Sequence, residues 1–168
     1  RDSENPWWFR NIRRVTYCIQ LDTRGFSAAQ AQASRAVRDA LAYWKTEFRF
    51  ENRWAPLPSD DQFNVSGIAS QQFDEIPCNG SEDFRIQLGA GTLSPQQRLN
   101  LGDPRDHLAV AMRTHIRPRT LRSKGYIWVA SDMGPEAFDL GSGRSAPQRA
   151  WSDPFTLTSV LIHELGHV

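Results

Sequence analysis

The sequence predicts an α+β domain built on a mixed β-sheet. Residues 13–21 alternate between apolar and polar side chains, which is the pattern of a half-buried strand. A long segment after Gly25 repeats apolar residues at three- and four-residue steps, which is typical of an amphipathic helix. Several apolar runs of strand length follow, and a second helical segment closes the sequence. This order of elements argues for an α+β fold with a mixed sheet.

The first elements are a lead-in, a strand and a long helix. Residues 1–10 are predicted to form an extended lead-in whose aromatic side chains dock on the body of the domain. Ser27 and Gln30 form a capping-box pattern before a helix of about twenty residues. Residues 48–52 are predicted to begin a second strand. The helix has a single apolar stripe, which predicts that it packs on one face of the sheet, and the stripe consists of Ala29, Ala33, Val37, Ala40, Leu41, Trp44 and Phe48.

Shorter patterns predict the later elements. Residues 84–88 alternate as a strand, and the Gly- and Pro-rich stretch 89–105 predicts a long surface loop. Apolar runs at 107–112 and 125–131 predict two more strands, the second of them buried. Residues 131–153 again have the composition of a loop. Asp153 and Pro154 then provide the N-cap and first position of a helix that is expected to reach residue 168.

Size and charge limit the classes of function. A chain of 168 residues is expected to form a single domain over residues 1–168. The net charge of +1 gives no electrostatic argument for a nucleic-acid partner or an anionic membrane. No apolar stretch approaches the roughly 20 residues that a membrane span needs. The chain begins at Arg1 without an initiator Met, so we expect that a signal, a pro-segment or the rest of a longer chain precedes it.

The two cysteines, Cys18 and Cys78, allow two interpretations. An even pair in a processed protein indicates one disulfide and an oxidising compartment. Such a bond would close a loop of about 60 residues and stabilise the fold by about 4 kcal/mol in the loop-entropy model. The alternative is a pair of buried free thiols.

The last residues, "SVLIHELGHV", carry the chemistry. On a helix, His163 and His167 lie one turn apart on one face, so their ring nitrogens can converge on one zinc ion. Glu164 is offset by about 100° from His163, so it can stay out of the metal's ligands and accept a proton from a zinc-bound water. The alternative is a helix whose two histidines only cap it or form hydrogen bonds.

The segment "HELGHV" resembles the zinc-binding helix of metzincin metallopeptidases, and it is most similar to the matrixin-like branch. Gly166, between the histidines, is typical of that pattern. Residues 14–50 are similar to the first strand and long first helix of matrixin catalytic domains, including Trp44 near the helix end. "DFRIQLG", "FDL" at 138–140 and "AWSD" at 150–153 also resemble matrixin segments, although the spacing between the last two differs.

The resemblance implies a fold and an activity. The fold is a twisted mixed sheet with the long helix packed on it, and the zinc helix lies below an edge strand that binds substrate. The activity is zinc-dependent hydrolysis of internal peptide bonds by a secreted or extracellular endopeptidase, with His163 and His167 as Zn²⁺ ligands and Glu164 as general base. A protein or peptide is the implied substrate, and a pro-segment or inhibitor is a further implied partner.

The sequence also departs from the family pattern. The third ligand histidine and the Met-containing turn of the family are absent, so the resemblance describes a domain truncated after the HELGH motif. Cys78 could ligate zinc as a thiolate, but disulfide formation is the preferred interpretation. The alternative functions are a catalytically inactive, metalloprotease-derived binding or interaction protein, and a metal-binding module completed by another chain.

The other histidines, His107 and His115, are interpreted as surface or strand residues rather than replacement ligands. Matrixins often hold structural Ca²⁺ or zinc in this part of the chain. Asp103, Asp106 and His107 are the candidates for such an ion, and a solvated loop is the competing interpretation.

Overall fold

A computed structural model describes residues 14–54, 72–101, 107–117, 122–132 and 151–168 of the chain, with side chains outside 48–54, 113–117 and 122–123. The lead-in predicted at residues 1–10 and most of the loop predicted at 131–153 lie outside these ranges. None of the helices in the described ranges is long and apolar enough to cross a membrane.

Five strands of the described chain form one mixed sheet: β1 (Arg14–Leu21), β2 (Gln72–Glu75), β3 (Phe84–Leu88), β4 (Ala109–Arg117) and β5 (Arg122–Val129). Their spatial order is β2-β1-β3-β5-β4. The first four strands in this order run parallel to one another, and β4 pairs antiparallel with β5 at the edge. The prediction of an α+β domain with a mixed sheet is therefore confirmed.

In the described part of the chain, three α-helices accompany the sheet: α1 (Gln30–Trp54), α2 (Pro95–Leu101) and α3 (Pro154–Leu165). Side chains of α1 and α3 share one apolar core with one face of the sheet. Leu101 of α2 and Leu93 before it pack with Tyr126 and Trp128 in a second, smaller core on other side chains of the sheet. The sheet is thus covered by two separate apolar clusters.

The strand register explains why the main core is continuous. Ile19, Ile86 and Ile127 are aligned across β1, β3 and β5, and the next aligned row is Leu21, Leu88 and Val129. Side chains of these rows belong to or pack against the main core, because alternate residues of a strand point to the same face. The predicted alternation of β1 and β3 is confirmed by this arrangement.

Two predictions about the chain between these elements are wrong. Residues 48–52, which were expected to begin a strand, continue α1 to Trp54. A pattern of three alternating residues fits a helix as well as a strand, and extending an existing helix requires no new nucleation. The loop expected at 89–105 instead contains a 3₁₀ turn at Ala90–Thr92 and helix α2.

Capping explains where α1 and α2 begin. The Ser94 hydroxyl accepts a hydrogen bond from the Gln97 N–H, and the Gln97 side chain accepts one from the Ser94 N–H, so these residues form a capping box for α2. The capping box predicted at Ser27 and Gln30 does not form. The Ser27 hydroxyl donates to Asp132 instead, and the Ala29 N–H at the start of α1 donates to the Gln32 side chain.

Cys18 and Cys78 form a disulfide, with 5.1 Å between their Cα atoms. The interpretation as free thiols is therefore wrong. Cys18 is fully buried in β1, and Cys78 lies in the exposed segment after β2. Beside this bond, the Ile76 N–H donates to the Tyr17 carbonyl and the Asp83 N–H donates to the Thr16 carbonyl. The covalent link therefore fastens the connection between β2 and β3 to the neighbouring strand β1.

Candidate metal centre

Hydrogen bonds to two other segments of the chain anchor the residues directly before α3. The Trp151 indole N–H donates to the Ala130 carbonyl at 2.8 Å, and the Trp151 backbone N–H donates to the Asp132 carboxylate. The Ser27 hydroxyl donates to the same carboxylate and accepts from the Ser152 N–H. These contacts tie α3 to the segment after β5 and to the segment before α1.

The N-terminus of α3 is capped as the sequence predicts. The Asp153 carboxylate accepts hydrogen bonds from the N–H groups of Phe155 and Thr156, and Pro154 occupies the first helical turn. The helix ends at Leu165 rather than at residue 168, and Gly166 is its C-cap in a right-handed conformation. His167 consequently lies in the turn that follows the helix, where its N–H donates to the Glu164 carbonyl.

The packing of α3 separates the residues of the motif by exposure. Leu157, Leu161 and Leu165 recur every four residues and are buried in the main core. His163 and His167 are exposed, and Glu164, beside the buried stripe, is only 8% exposed. The two imidazoles therefore face solvent while the carboxylate between them along the chain is held at the edge of the core.

The two histidines are close enough to share one ion. Their Nε2 atoms lie 3.1 Å apart and their ring planes are 78° apart. Two nitrogen ligands at the usual zinc distance and at a tetrahedral angle are about 3.3–3.4 Å apart. The observed separation is near that value, so the pair fits two corners of a zinc site when both Nε2 atoms are unprotonated.

The same separation also suits a hydrogen bond between the rings, in which one Nε2 carries a proton and the other accepts it. The tautomer decides which atom donates. Metal binding requires that this proton move from Nε2 to Nδ1 of the same ring. The hydrogen-bonded pair and the metal-binding pair therefore differ in the position of one proton and not in the position of the chain.

Glu164 has the chemistry of a proton acceptor beside this pair. Burial raises the pKa of its carboxyl group above the usual value, and the nearby His163 and His167 act in the opposite direction. Desolvation disfavours the charged carboxylate, and a carboxylate with a raised pKa binds a proton more readily. The carboxylate can therefore serve as a base while the imidazoles hold a metal.

Trp44 of α1 contacts the end of α3. Its indole N–H donates a 2.8 Å hydrogen bond to the Ile162 carbonyl. A Cβ atom added at Gly166 would lie 2.6 Å from Cζ2 of the Trp44 ring, so the ring lies directly against the glycine. The sequence placed Trp44 in the apolar stripe of α1 but did not predict its contact with the histidine turn, because 118 residues separate the two hydrogen-bonded groups.

The other candidate ligands are not brought to the histidine pair by the described residues. Within the described ranges, no group of three or more His, Cys, Asp or Glu side chains is arranged to hold a metal ion. His107 is exposed just before β4, and His115 lies in β4 in the part whose side chains are not described. Asp103 and Asp106 lie outside the described residues. The Cys78 sulfur is bonded to Cys18, so it is not a thiolate ligand.

No protein-family model and no curated protein matches the chain.

Proposed function

We propose that this chain carries the zinc-binding helix of a metzincin-like zinc endopeptidase, an enzyme that hydrolyses internal peptide bonds of proteins. The observation that carries the proposal is the convergence of the His163 and His167 Nε2 atoms, 3.1 Å apart, beside the buried carboxyl group of Glu164. The motif supplies these residue types, and the packing of α3 exposes the two histidines and buries the glutamate.

The position of α3 relative to the sheet supports the proposal. The outermost strand on that side of the sheet is β4, and α3 contacts it. An edge strand has backbone N–H and C=O groups to which an extended peptide can bind as an additional strand. A substrate bound in this way would lie beside the strand that α3 contacts, and in the proposal this edge brings the peptide to the histidine pair.

In the proposed reaction, His163 and His167 hold the metal and Glu164 moves a proton. Zinc held by these two residues would supply a Lewis acid that polarises a peptide carbonyl and makes water a stronger acid. The Glu164 carboxylate accepts a proton from the attacking water and then donates it to the leaving nitrogen. The burial that raises the pKa of this carboxyl suits it to both roles.

The disulfide is consistent with the remaining parts of the proposal. Disulfides persist in oxidising compartments, so the Cys18–Cys78 bond agrees with a secreted or extracellular enzyme. Extracellular endopeptidases meet intact proteins as substrates, and a pro-segment or an inhibitor would bind along the same edge of β4.

Glu164→Gln in the full-length protein tests the proposal. We expect loss of peptide hydrolysis by a factor of about 100 or more, because the amide cannot accept the proton. The zinc content, measured by atomic absorption, should stay unchanged because Glu164 is not a ligand. Cleavage of a denatured protein substrate is followed on a gel.

Glu47→Gln is the matched control, since Glu47 is a half-buried glutamate of α1. It should keep both zinc and activity. Turnover by Glu164→Gln at the parental rate would contradict the role of the carboxylate. A parent protein that binds zinc and a partner protein but cleaves nothing would support the alternative, an inactive interaction protein.

A further inference from the structure

A single side chain contacts the residue that precedes each histidine. The Trp44 indole N–H donates to the carbonyl of Ile162, which is joined directly to His163. The far edge of the same ring, at Cζ2 and Cη2, lies against Gly166, which is joined directly to His167. One indole of α1 therefore holds both peptide units that carry the histidine pair.

The hydrogen bond fixes a carbonyl group that the helix itself holds only weakly. Carbonyl groups in the last turn of a helix lack full intrahelical partners. The Gly166 N–H is shared between the Ile162 carbonyl, at 3.3 Å, and the His163 carbonyl, at 3.1 Å. The shorter 2.8 Å bond from Trp44 therefore sets the orientation of the peptide plane from which His163 projects.

The contact between the Trp44 ring and Gly166 restrains the peptide unit before His167 by close steric fit. Gly166 adopts φ −70° and ψ −18°, a right-handed conformation that any residue can take. Glycine is therefore not required there by the backbone. The contact requires it, because a Cβ atom would lie 2.6 Å from Trp44 Cζ2 and 3.2 Å from Cη2. The close approach keeps the His167 turn against α1.

We propose that Trp44 is a positioning residue for the histidine pair, and that it sets the separation of the two Nε2 atoms through Ile162 and Gly166. The inference rests on the proposed function only in taking His163 and His167 as metal donors. It does not need a third ligand or peptidase activity, so it can be tested independently of both.

The test measures binding of Cu²⁺–iminodiacetate to the full chain. This chelate leaves adjacent coordination positions open, which two imidazoles one helical turn apart can fill. Titration is followed by electron paramagnetic resonance and calorimetry. In the Trp44→Phe variant, which keeps an aromatic ring but lacks the indole N–H and the outer ring atoms, we expect the affinity to fall by about tenfold.

Trp151→Phe is the matched control. Trp151 also donates an indole hydrogen bond of 2.8 Å to a backbone carbonyl, that of Ala130, but at the opposite end of α3. Both variants therefore lose the same kind of interaction. Trp151→Phe should lower the thermal midpoint and leave the copper affinity within about twofold of the parent. Equal copper affinities of Trp44→Phe and the parent, or equal losses in both variants, would overturn the proposal.

A double-mutant cycle tests the ring contact separately. Because the backbone of Gly166 is helical, alanine is intrinsically favoured there over glycine. Gly166→Ala should nevertheless lower the thermal midpoint and the copper affinity of the parent, because the new methyl group meets Trp44. In the Trp44→Phe background the same substitution should have no harmful effect or should raise the midpoint. Equal effects in the two backgrounds would show that the ring does not constrain Gly166.

The outcomes separate this inference from the proposed function. If Glu164→Gln keeps full activity, the role of Glu164 as base fails, yet the copper titrations still report whether Trp44 sets the histidine geometry. If Trp44→Phe binds the copper chelate as the parent does, the positioning role fails while zinc-dependent hydrolysis by the parent stands.

Discussion

Gln87 is a polar residue at the centre of the sheet, with 1% of its surface exposed. Its side-chain NH₂ group donates to the Thr92 carbonyl at 2.6 Å and to the Gln20 side chain at 3.2 Å. Its side-chain oxygen accepts from the Gln97 amide at 2.9 Å. The residue thereby joins β1, the 3₁₀ turn and α2, and its burial costs little because its polar atoms have partners.

Gln87→Leu should lower the free energy of unfolding by about 1 kcal/mol, because it removes a hydrogen-bond partner of the half-buried Thr92 carbonyl and of the half-buried Gln97 amide. Urea denaturation followed by tryptophan fluorescence measures the change. Gln20→Leu is the control, since Gln20 is exposed and water can replace its bond. A loss no larger than that of the control would show that the network contributes nothing.

At the scale of single residues, the sequence predicts which face a side chain lies on better than it predicts burial. Alternation placed Gln87 opposite Ile86 and Leu88, and the strand register agrees. Its burial depends on α2 and the 3₁₀ turn, whereas the sequence predicts a surface loop in that segment. The sequence does not predict the burial of Gln87 because it does not predict α2, which covers it. The capping box in "SPQQ" is the local signal for that helix.

At the scale of elements, the start of α3 is stabilised by Asp153. Hydrogen bonds from Thr156 hold the pKa of the Asp153 carboxyl below its usual value. The bond from the Thr156 hydroxyl has the larger effect, and the bond from its backbone N–H has the smaller one. A negative charge at this end of a helix also interacts favourably with the helix dipole. The cap is far from the histidines along α3, so it affects the stability of the helix rather than the chemistry at its end.

Asp153→Ala should lower the thermal midpoint at neutral pH, and Asp153→Asn should lower it less because the amide oxygen can still accept a hydrogen bond. The pKa of Asp153 is depressed in the folded state, so its contribution is fully present above the unfolded value of about 3.9. It is lost as the pH falls through the lower folded value.

The gap in midpoint between the parent and Asp153→Ala should therefore narrow as the pH is lowered below about 4. Thermal melts followed by circular dichroism across this range measure it. A gap that is constant with pH would mean that the charge of Asp153 plays no part in the cap.

The sequence predicts the strands with strong periodicity and the cap of α3, but it does not predict the short helix α2 despite its capping box. The N-cap and first-turn proline of α3 appear in the structure as expected, and so do β1, β3 and the buried strand β5. The sequence predicts too early an end for α1, because Phe48, Arg49 and Phe50 fit the alternation of a strand. Local sequence could not decide, since α1 continues through them by adding turns to a helix that already exists.

At the scale of the whole molecule, the disulfide is the strongest single constraint on the unfolded chain. It joins residues that are 60 positions apart. Replacing both cysteines by alanine should lower the free energy of unfolding by about 4 kcal/mol. Since a domain is stable by only about 5–15 kcal/mol, this is a large share.

Urea denaturation of Cys18→Ala/Cys78→Ala measures this loss, and the parent treated with a thiol reductant should show a similar one. The parent without reductant is the reference. If the reduced parent and the double variant both unfold at the urea concentration of the oxidised parent, the bond is not a stabilising element of the fold.

The sequence predicts that the two histidines lie close together, but it does not predict the residues that hold α3 in place. The spacing of His163 and His167 predicted rings one turn apart, and their Nε2 atoms lie 3.1 Å apart. The anchors of α3 come from Trp44, Asp132 and Ser27, which lie far away in the chain and belong to other elements. No local pattern marks such partners, because their proximity is a product of the fold.

The strand order also affects the rate at which this chain folds. Neighbouring strands at the centre of the sheet are distant in sequence: Gln20 of β1 and its partner Gln87 of β3 are separated by 67 positions. Such a high contact order slows folding, because long loops must close, at a cost in chain entropy, before the contacts that stabilise them can form. Once Cys18 and Cys78 are joined, however, only the short segment from Cys78 to Phe84 separates β1 from β3. An oxidised chain therefore begins folding with the loop between β1 and β3 already shortened, and it should reach the native sheet faster than a reduced one.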